Sequence, residues 1–341
     1  TNTVQIFNVT NPLTPAVISN AVITGAGPFT ATFQATVTAG VKYLAVAPNQ
    51  FKTPAGLVLD QPSNWRSPSN GADWIIITYE GFAASAQALA NFRAGQGQRT
   101  ALVKVQDVYD EFNDGLFNPQ AIKSFLDYAF DNWQSPAPTY VVLLGDACQD
   151  YKNARYNQAV VCSRNYVPSQ IYEASIYGQV PSDYWFTTFQ GNDQFPDMFI
   201  GRLSAQDSTQ AADIVNKIIA YETTPPSAAW NNHVTLVADD VDLTFATISD
   251  QLAAEVPAGY VINKIYAANF PPGSPPLSLA SQINTGSLLV NYFGHGEFFK
   301  WGQWANGGNS DIFNQADISG LGNAGKYTVV TIGNCLNGLF N

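Results

Sequence analysis

The sequence predicts an α/β protein with parallel sheets flanked by helices, arranged as two α/β halves behind an N-terminal β region. Three observations predict it. Strand-sized apolar runs such as "WIIITY" and "YVVLLG" are nearly continuous rather than alternating, the pattern of strands buried on both faces. Stretches of helical periodicity with start and stop residues separate these runs. The rhythm also occurs twice, before and after the Pro225-Pro226 stop.

Residues 1–68 read as β structure. "VQIFNV", "AVITG", "FTATFQATV" and "KYLAVA" run apolar or alternate, with Gly, Pro and Asn between them. The Pro/Ser/Asn/Gly-rich stretch "DQPSNWRSPSNGAD" has the composition of a linker. The first α/β half, 69–225, opens with the strand "DWIIITYE" and the helix "AASAQALANFRAGQG", then a strand placed in "TALVKVQDVYDEF". "NPQAIKSFLDYAFDNW" starts a helix with Asn118 as N-cap and Pro119 in the first turn. Ile122, Phe125, Leu126 and Ala129 keep its helical spacing. "TYVVLLGD" follows as a buried strand. An aromatic, polar insertion occupies 147–196, and the pattern resumes with "DMFIGRL" and the helix "STQAADIVNKIIAYE". The second half, 226–341, reads as strand "HVTLVADD", helix "FATISDQLAAEV", strand "YVINKIY", helix "LSLASQIN", strand "SLLVNYFGHG", a long loop and strand "YTVVTIGNC".

Composition narrows the function. With 46% apolar and 12% charged residues, the chain is core-rich, not disordered. No apolar run approaches the roughly 20 residues of a membrane-spanning helix. The formal charge is −11, from 15 basic against 26 acidic residues. No basic cluster offers a nucleic-acid surface. An acidic surface with few lysines and many small polar and aromatic residues suits an exported protein, secreted or at the cell surface. Thr1 at the start and Asn341 soon after Cys335 read as the ends of a processed product or a fragment. One glycosylation-type triplet, Asn8-Val9-Thr10, is present. The three cysteines are Cys148, Cys162 and Cys335. In an oxidising compartment Cys148 and Cys162 form the expected disulfide and Cys335 stays a thiol; the alternative is three unrelated reduced cysteines.

Parallel sheets place function at the carboxyl ends of their strands. Strands of the second half end in Asp239-Asp240, His295 and Cys335, and His295 is one of only two histidines. If these strands are neighbours, a cysteine nucleophile meets an imidazole and a carboxylate. The imidazole takes the thiol proton and returns it to a leaving amine. The carboxylate orients the ring, and backbone N–H groups stabilise the oxyanion. Gly296 and Cys335 are the candidate oxyanion donors. Gly294 and Gly296 leave room where a β-carbon would obstruct the chain or the substrate. A small buried cysteine and a structural histidine form the competing reading.

"LLVNYFGHGEFFKW", followed by "YTVVTIGNCLNGLF", resembles the catalytic segment of the gingipain family of cysteine peptidases, family C25. "YVVLLGD", "PSDYWF", "GNDQFPDMFIGRL" and "IVNKIIAYE" are similar to family segments and keep their order, so the resemblance covers about 74–341. It implies a caspase-like α/β fold, His295 and Cys335 as the catalytic pair, and Asp240, with Asp239 beside it, at the position of an acid. The family has glutamate at that point in its arginine-specific members; the shorter aspartates also fit a helix cap or a cation site. The resemblance further places Asp250 near the floor of a specificity pocket, where a solvated helix residue is the alternative. It implies structural Ca²⁺ near Asp146 and Asp197, with Asp183 and Asp193 close in sequence; solvated acidic loops are the alternative. No organic cofactor and no zinc set are expected, since two distant histidines make no standard site.

These expectations give a secreted or surface cysteine endopeptidase acting on protein or peptide substrates through a thioester acyl-enzyme. One alternative is a sortase-type transpeptidase of a type IX secretion system, suggested by the N-terminal "VQIFNVTNPLTPAVI" and resolved by an amine in place of water. Another is a non-catalytic surface scaffold or assembly subunit that keeps the peptidase fold.

Overall fold

The computed structural model describes residues 3–36, 38–54, 56–149, 165–176, 178–191, 193–223, 229–270, 275–302 and 311–338. The chain divides into two compact units, Thr1–Gln61 and Pro62–Asn341.

The first unit is short-stranded β structure, because its apolar runs are brief and broken by Gly, Pro and Asn. Strands β1 (Gln5–Asn8), β2 (Ala16–Val17) and β5 (Tyr43–Val46) form an antiparallel sheet in the order β2-β1-β5. β3 (Val22–Thr24) and β4 (Thr30–Thr32) pair as a hairpin. The two compact units meet between Gln61 and Pro62, within the Pro/Ser/Asn/Gly-rich stretch. Residues just beyond Gln61 belong to the second unit, where the Trp65 ring meets Trp133 and Phe125 and the Trp65 backbone N–H donates to Glu111.

The second unit contains two four-stranded parallel sheets. The first is built from β6 (Trp74–Thr78), α1 (Ala83–Gly95), β7 (Thr100–Lys104), α2 (Val105–Phe112), α3 (Pro119–Asn132) and β8 (Tyr140–Leu144), then the hairpin β9 (Gln170–Ala174) and β10 (Gly178–Ser182), β11 (Phe199–Leu203) and α4 (Ser208–Thr223). Its strand order is β11-β8-β6-β7. Ile75 and Ile77 pack with Val108, Ile122 and Phe125 on one face. Ile76 packs with Leu89, Ala211 and Val215 on the other. The period-two alternation thus buries both faces. The helix α2 was not expected from the sequence, which reads as one strand there. Val105, Val108, Tyr109 and Phe112 recur at helical spacing, and Val105, Val108 and Tyr109 are buried. Asn118 does cap α3, accepting the N–H of Gln120.

The second sheet carries β12 (His233–Ala238), α5 (Leu243–Glu255), β13 (Val261–Tyr266), α6 (Pro275–Thr285), β14 (Leu289–Phe293), the short strands β15 (Gly296–Glu297), β16 (Lys300–Trp301) and β17 (Phe313–Asn314), α7 (Gln315–Ile318) and β18 (Val329–Gly333). Its order is β13-β12-β14-β18, and β15-β16-β17 form a small antiparallel sheet after β14. Val234, Leu236 and Ala238 pack with Phe245 and Val256 of α5. Val237, Val290 and Tyr292 pack on the opposite face with Leu279 and Ile283 of α6 and with Trp301 and Phe313. β18 forms one edge, with Val329, Val330 and Ile332 exposed. Among the described residues no helix is long and apolar enough to cross a membrane.

Candidate active site

The register of the second sheet brings three strand ends to one level. Ala238 is opposite Phe293, and Phe293 is opposite Gly333. The ladder runs one residue further on each side: Asp239 N–H donates to Phe293 O at 3.0 Å, and Gly294 N–H to Gly333 O at 3.3 Å. His295 and Cys335 therefore leave the same edge from adjacent strands, which run about 4.8 Å apart. Asp239 and Asp240 leave it from the next strand on the other side of β14. Cys335 is exposed and His295 half-buried.

The backbone of His295 is clamped at both polar groups. Its N–H donates to Asp239 Oδ2 at 3.0 Å. Its carbonyl accepts from Tyr292 Oη at 2.6 Å and from Gly302 N–H at 3.0 Å. Asp239 is only 3% exposed, and its second oxygen accepts the Asp240 N–H at 2.7 Å. Each oxygen of this buried carboxylate thus accepts a backbone N–H in a charge-assisted bond. Tyr292 lies under the site, stacked on Trp301 with centroids 4.7 Å apart; burial, with Asp239 adding to it, pushes its phenol well above the usual range.

The two glycines follow from this crowding. A β-carbon on Gly294 would run into the Tyr292 phenol and Asp239 Cβ, and one on Gly296 into Asn334 and Asn337. Asn334 and Asn337 flank Cys335 and hydrogen-bond to each other. Asn337 Nδ2 also donates to Glu297 O at 2.5 Å and Lys300 O at 3.3 Å, tying the β15–β16 turn to the cysteine loop. Because Gly302 N–H reaches His295 O, the next pair, Gly296 with Trp301, is the non-hydrogen-bonded one of the antiparallel ladder. That alternation turns the Gly296 N–H away from β16.

The imidazole meets the ring of Phe245 edge-on, with centroids 5.4 Å apart. Phe245 lies in the first turn of α5, whose N-cap is Asp242; the Asp242 carboxylate accepts the Thr244 N–H at 2.8 Å. The Thr244 side chain, and then its N–H, hold the Asp242 carboxyl below its ordinary pKa, with a smaller contribution from His295 in the same direction. Asp240 is half-buried at the same edge, and burial, then the neighbouring Asp239, raise its carboxyl pKa. Sequence reasoning passed over Asp242, Tyr292, Asn334 and Asn337. The signals were the capping pattern Asp-x-Thr and the asparagines around the cysteine in "GNCLN".

The remaining candidates lie elsewhere. Asp250, expected at a pocket floor, is exposed on α5, where Lys264 Nζ at 2.6 Å and the Tyr266 hydroxyl at 2.7 Å meet its charge. The Lys264 bond is the main reason its pKa is lowered. Asp146 follows β8 at the carboxyl edge of the first sheet, with Oδ2 accepting from Gln206. Asp197 precedes β11 at the opposite edge, with Oδ2 accepting the N–H groups of Phe189 and Gln190, both at 2.9 Å. One ion cannot join the two, since a five-residue strand separates those edges by about 13 Å of rise. Among the described residues no group of three or more His, Cys, Asp or Glu is placed to hold a metal. Asp183 is instead the partner of Arg202, at 2.7 Å. Asp193 accepts the N–H of Phe195. Cys148 donates its N–H to Asn165; its expected partner, Cys162, lies outside the described residues.

Parallel sheets flanked by helices, with cysteine and histidine at neighbouring strand ends, define a caspase-like α/β domain of the cysteine-peptidase kind. Residues 67–341 match the model of peptidase family C25, and the chain belongs to that family. It is similar to gingipain R2 of Porphyromonas gingivalis, 22% identical over 273 residues that cover 78% of this chain and 32% of that protein. Lys-gingipain W83 of Porphyromonas gingivalis is 24% identical over 233 residues, 66% of this chain and 12% of that protein. The crystal structure of the Arg-specific cysteine proteinase gingipain R superimposes with a TM-score of 0.61 at 22% identity, covering 78% of this chain and 55% of that one. The chain thus spans well under two thirds of these relatives, and the structural likeness shows the fold.

Proposed function

We propose that the chain is a secreted or surface cysteine endopeptidase in which Cys335 is the nucleophile and His295 the acid–base. One observation carries this reading: the β12-β14-β18 register brings Asp239, His295 and the exposed Cys335 to the same end of neighbouring strands, in a chain of family C25.

Each step uses groups of that edge. The imidazole of His295 takes the Cys335 proton, and the thiolate attacks the carbonyl carbon of a bound peptide. The carbonyl oxygen gains the charge and is met by the N–H groups of Gly296 and Cys335. The tetrahedral species collapses, and His295 returns the proton to the departing amine. Water, deprotonated by His295, then cleaves the thioester and restores the thiol. Asp240 and Asp242 are carboxylates of this edge, while Asp239 holds the histidine backbone. The clamp keeps the ring from drifting, and a displacement of about 1 Å at such a site costs roughly a hundredfold in rate.

Hydrolysis of a denatured protein substrate tests the reading. Wild type is expected to cleave it, Cys335→Ala to abolish cleavage, and His295→Ala to lower the rate by about a thousandfold or more. Cleavage that survives Cys335→Ala refutes the proposal. An inert wild type with a normally folded chain points to the scaffold alternative. Adding a peptide amine separates hydrolysis from transfer, because a transpeptidase yields a ligated product.

A further inference from the structure

The turn beside the candidate nucleophile breaks the chemistry of its own hairpin. β15 and β16 are joined by Phe298 and Phe299 alone. Two-residue connections favour Asn, Asp and Gly, because the turns that match strand twist need positive φ. Neither phenylalanine has positive φ. Their side chains stand 57% and 69% exposed, with ring centroids 6.3 Å apart. An exposed aromatic pair adds nothing to the core and lowers solubility. Where local rules fail without a folding gain, a functional reason is the first to test.

The position of the pair is fixed relative to the site. Asn337, on the loop that carries Cys335, holds the carbonyls of both Glu297 and Lys300, the residues that bracket the two phenylalanines. At the α5 N-terminus, Val241 and Leu243 are exposed next to Phe245, which touches the imidazole. Phe245 of α5 touches the imidazole, and the Phe298–Phe299 tip lies on the hairpin that follows His295 in the chain. The carboxylates nearby are largely engaged. Asp239 holds the His295 backbone and Asp242 caps α5. Glu297 and Asp311 lie 3.9 and 2.9 Å from Lys300 Nζ, and Asp250 is bonded to Lys264. Asp240 is half-buried and its side chain meets that of Asp239.

The geometry points to a substrate class: peptides with an aromatic or large aliphatic side chain beside the scissile bond, seated against the Phe298–Phe299 tip. This rests on the peptidase reading above and gives it a specificity distinct from that named for the Arg-specific relative. Asn337 ties the tip to the loop that carries Cys335, so an extended peptide whose carbonyl reaches the thiol has a neighbouring side chain within reach of the tip.

The test uses the full chain and internally quenched peptides that differ only in Phe, Leu, Arg or Lys on either side of one bond. The expected kcat/KM for Phe and Leu peptides exceeds that for Arg and Lys peptides by about tenfold or more. The double substitution Phe298→Ala and Phe299→Ala is expected to raise KM for the Phe and Leu peptides about tenfold. Alkylation of Cys335 by iodoacetamide should proceed at the wild-type rate in that variant, showing that nucleophile and fold survive. Preference for Arg or Lys, or an unchanged KM in the variant, overturns the assignment and leaves the peptidase reading standing. A variant that loses a dimer on size exclusion yet keeps its KM also overturns it, marking the tip as a self-association surface. If no peptide is cleaved and Cys335 reacts no faster than free cysteine, the peptidase reading fails and this assignment with it.

Discussion

Replacing Asp239 by asparagine keeps the shape of a side chain that is 3% exposed and removes its charge. Both carboxylate oxygens now accept backbone N–H groups, from His295 at 3.0 Å and Asp240 at 2.7 Å. Asparagine has one acceptor oxygen, so its amide nitrogen must face one of those donors. A buried donor left unsatisfied costs about 1–3 kcal/mol, and the surviving bond loses its charge assistance, about 1 kcal/mol more. The expected destabilisation is about 2–4 kcal/mol. The His295 backbone then loses one of its anchors, and kcat should fall about a hundredfold with KM little changed. Urea unfolding measures the first quantity and protein-substrate turnover the second. Asp240→Asn is the control, since no hydrogen bond to His295 runs through its side chain. A midpoint for Asp239→Asn within error of wild type, or an equal loss in both variants, would refute the clamp.

Further outcomes follow from the same contacts. Asp240 has a raised pKa in the folded chain, so the native state binds its proton more tightly than the unfolded state does. Its contribution is favourable below that pKa and is lost as pH rises through it. Asp240→Asn should therefore gain stability relative to wild type at neutral pH and lose that advantage on acidification, as paired unfolding curves at both pH values will show; an advantage that grows in acid contradicts the burial argument. Asp250→Asn should leave the ratio of Arg-peptide to Leu-peptide turnover unchanged and the unfolding midpoint close to wild type, because its ion pair is exposed. A changed ratio would restore Asp250 to the pocket. Arg202, with a side chain 4% exposed, bonds Asp183 and the carbonyls of Gly145, Val167 and Pro168. Arg202→Met leaves those acceptors and a carboxylate without a donor and should cost about 3–5 kcal/mol by thermal unfolding.

Much of the second unit is legible from period and composition. Continuous apolar runs mark β6, β8, β12 and β14, and the residues that follow β12, β14 and β18, the candidate site, do come together at neighbouring strand ends. What the sequence hides is tertiary. "TALVKVQDVYDEF" holds both a strand and the helix α2, and nothing local marks the change at Lys104, which has extended backbone and no side-chain cap. The adjacent Asp239 and Asp240 look equivalent in sequence. Alternation at the strand end sends one carboxylate under His295 and leaves the other half-buried at the edge. The reason for both glycines also lies at long range: Gly294 faces Asp239 of β12, and Gly296 faces Asn334 beyond β18. Asp250 reads as a pocket acid only until Lys264 and Tyr266 are placed beside it.

In the proposed mechanism Cys335 and His295 act as one unit, and the rate of Cys335 alkylation by iodoacetamide near neutral pH tests this most directly. Wild type should react at least tenfold faster than the His295→Ala variant, with the modified residue identified by peptide mass mapping. Equal rates in the two proteins would show that the imidazole does not serve the thiol, and the catalytic reading would fall.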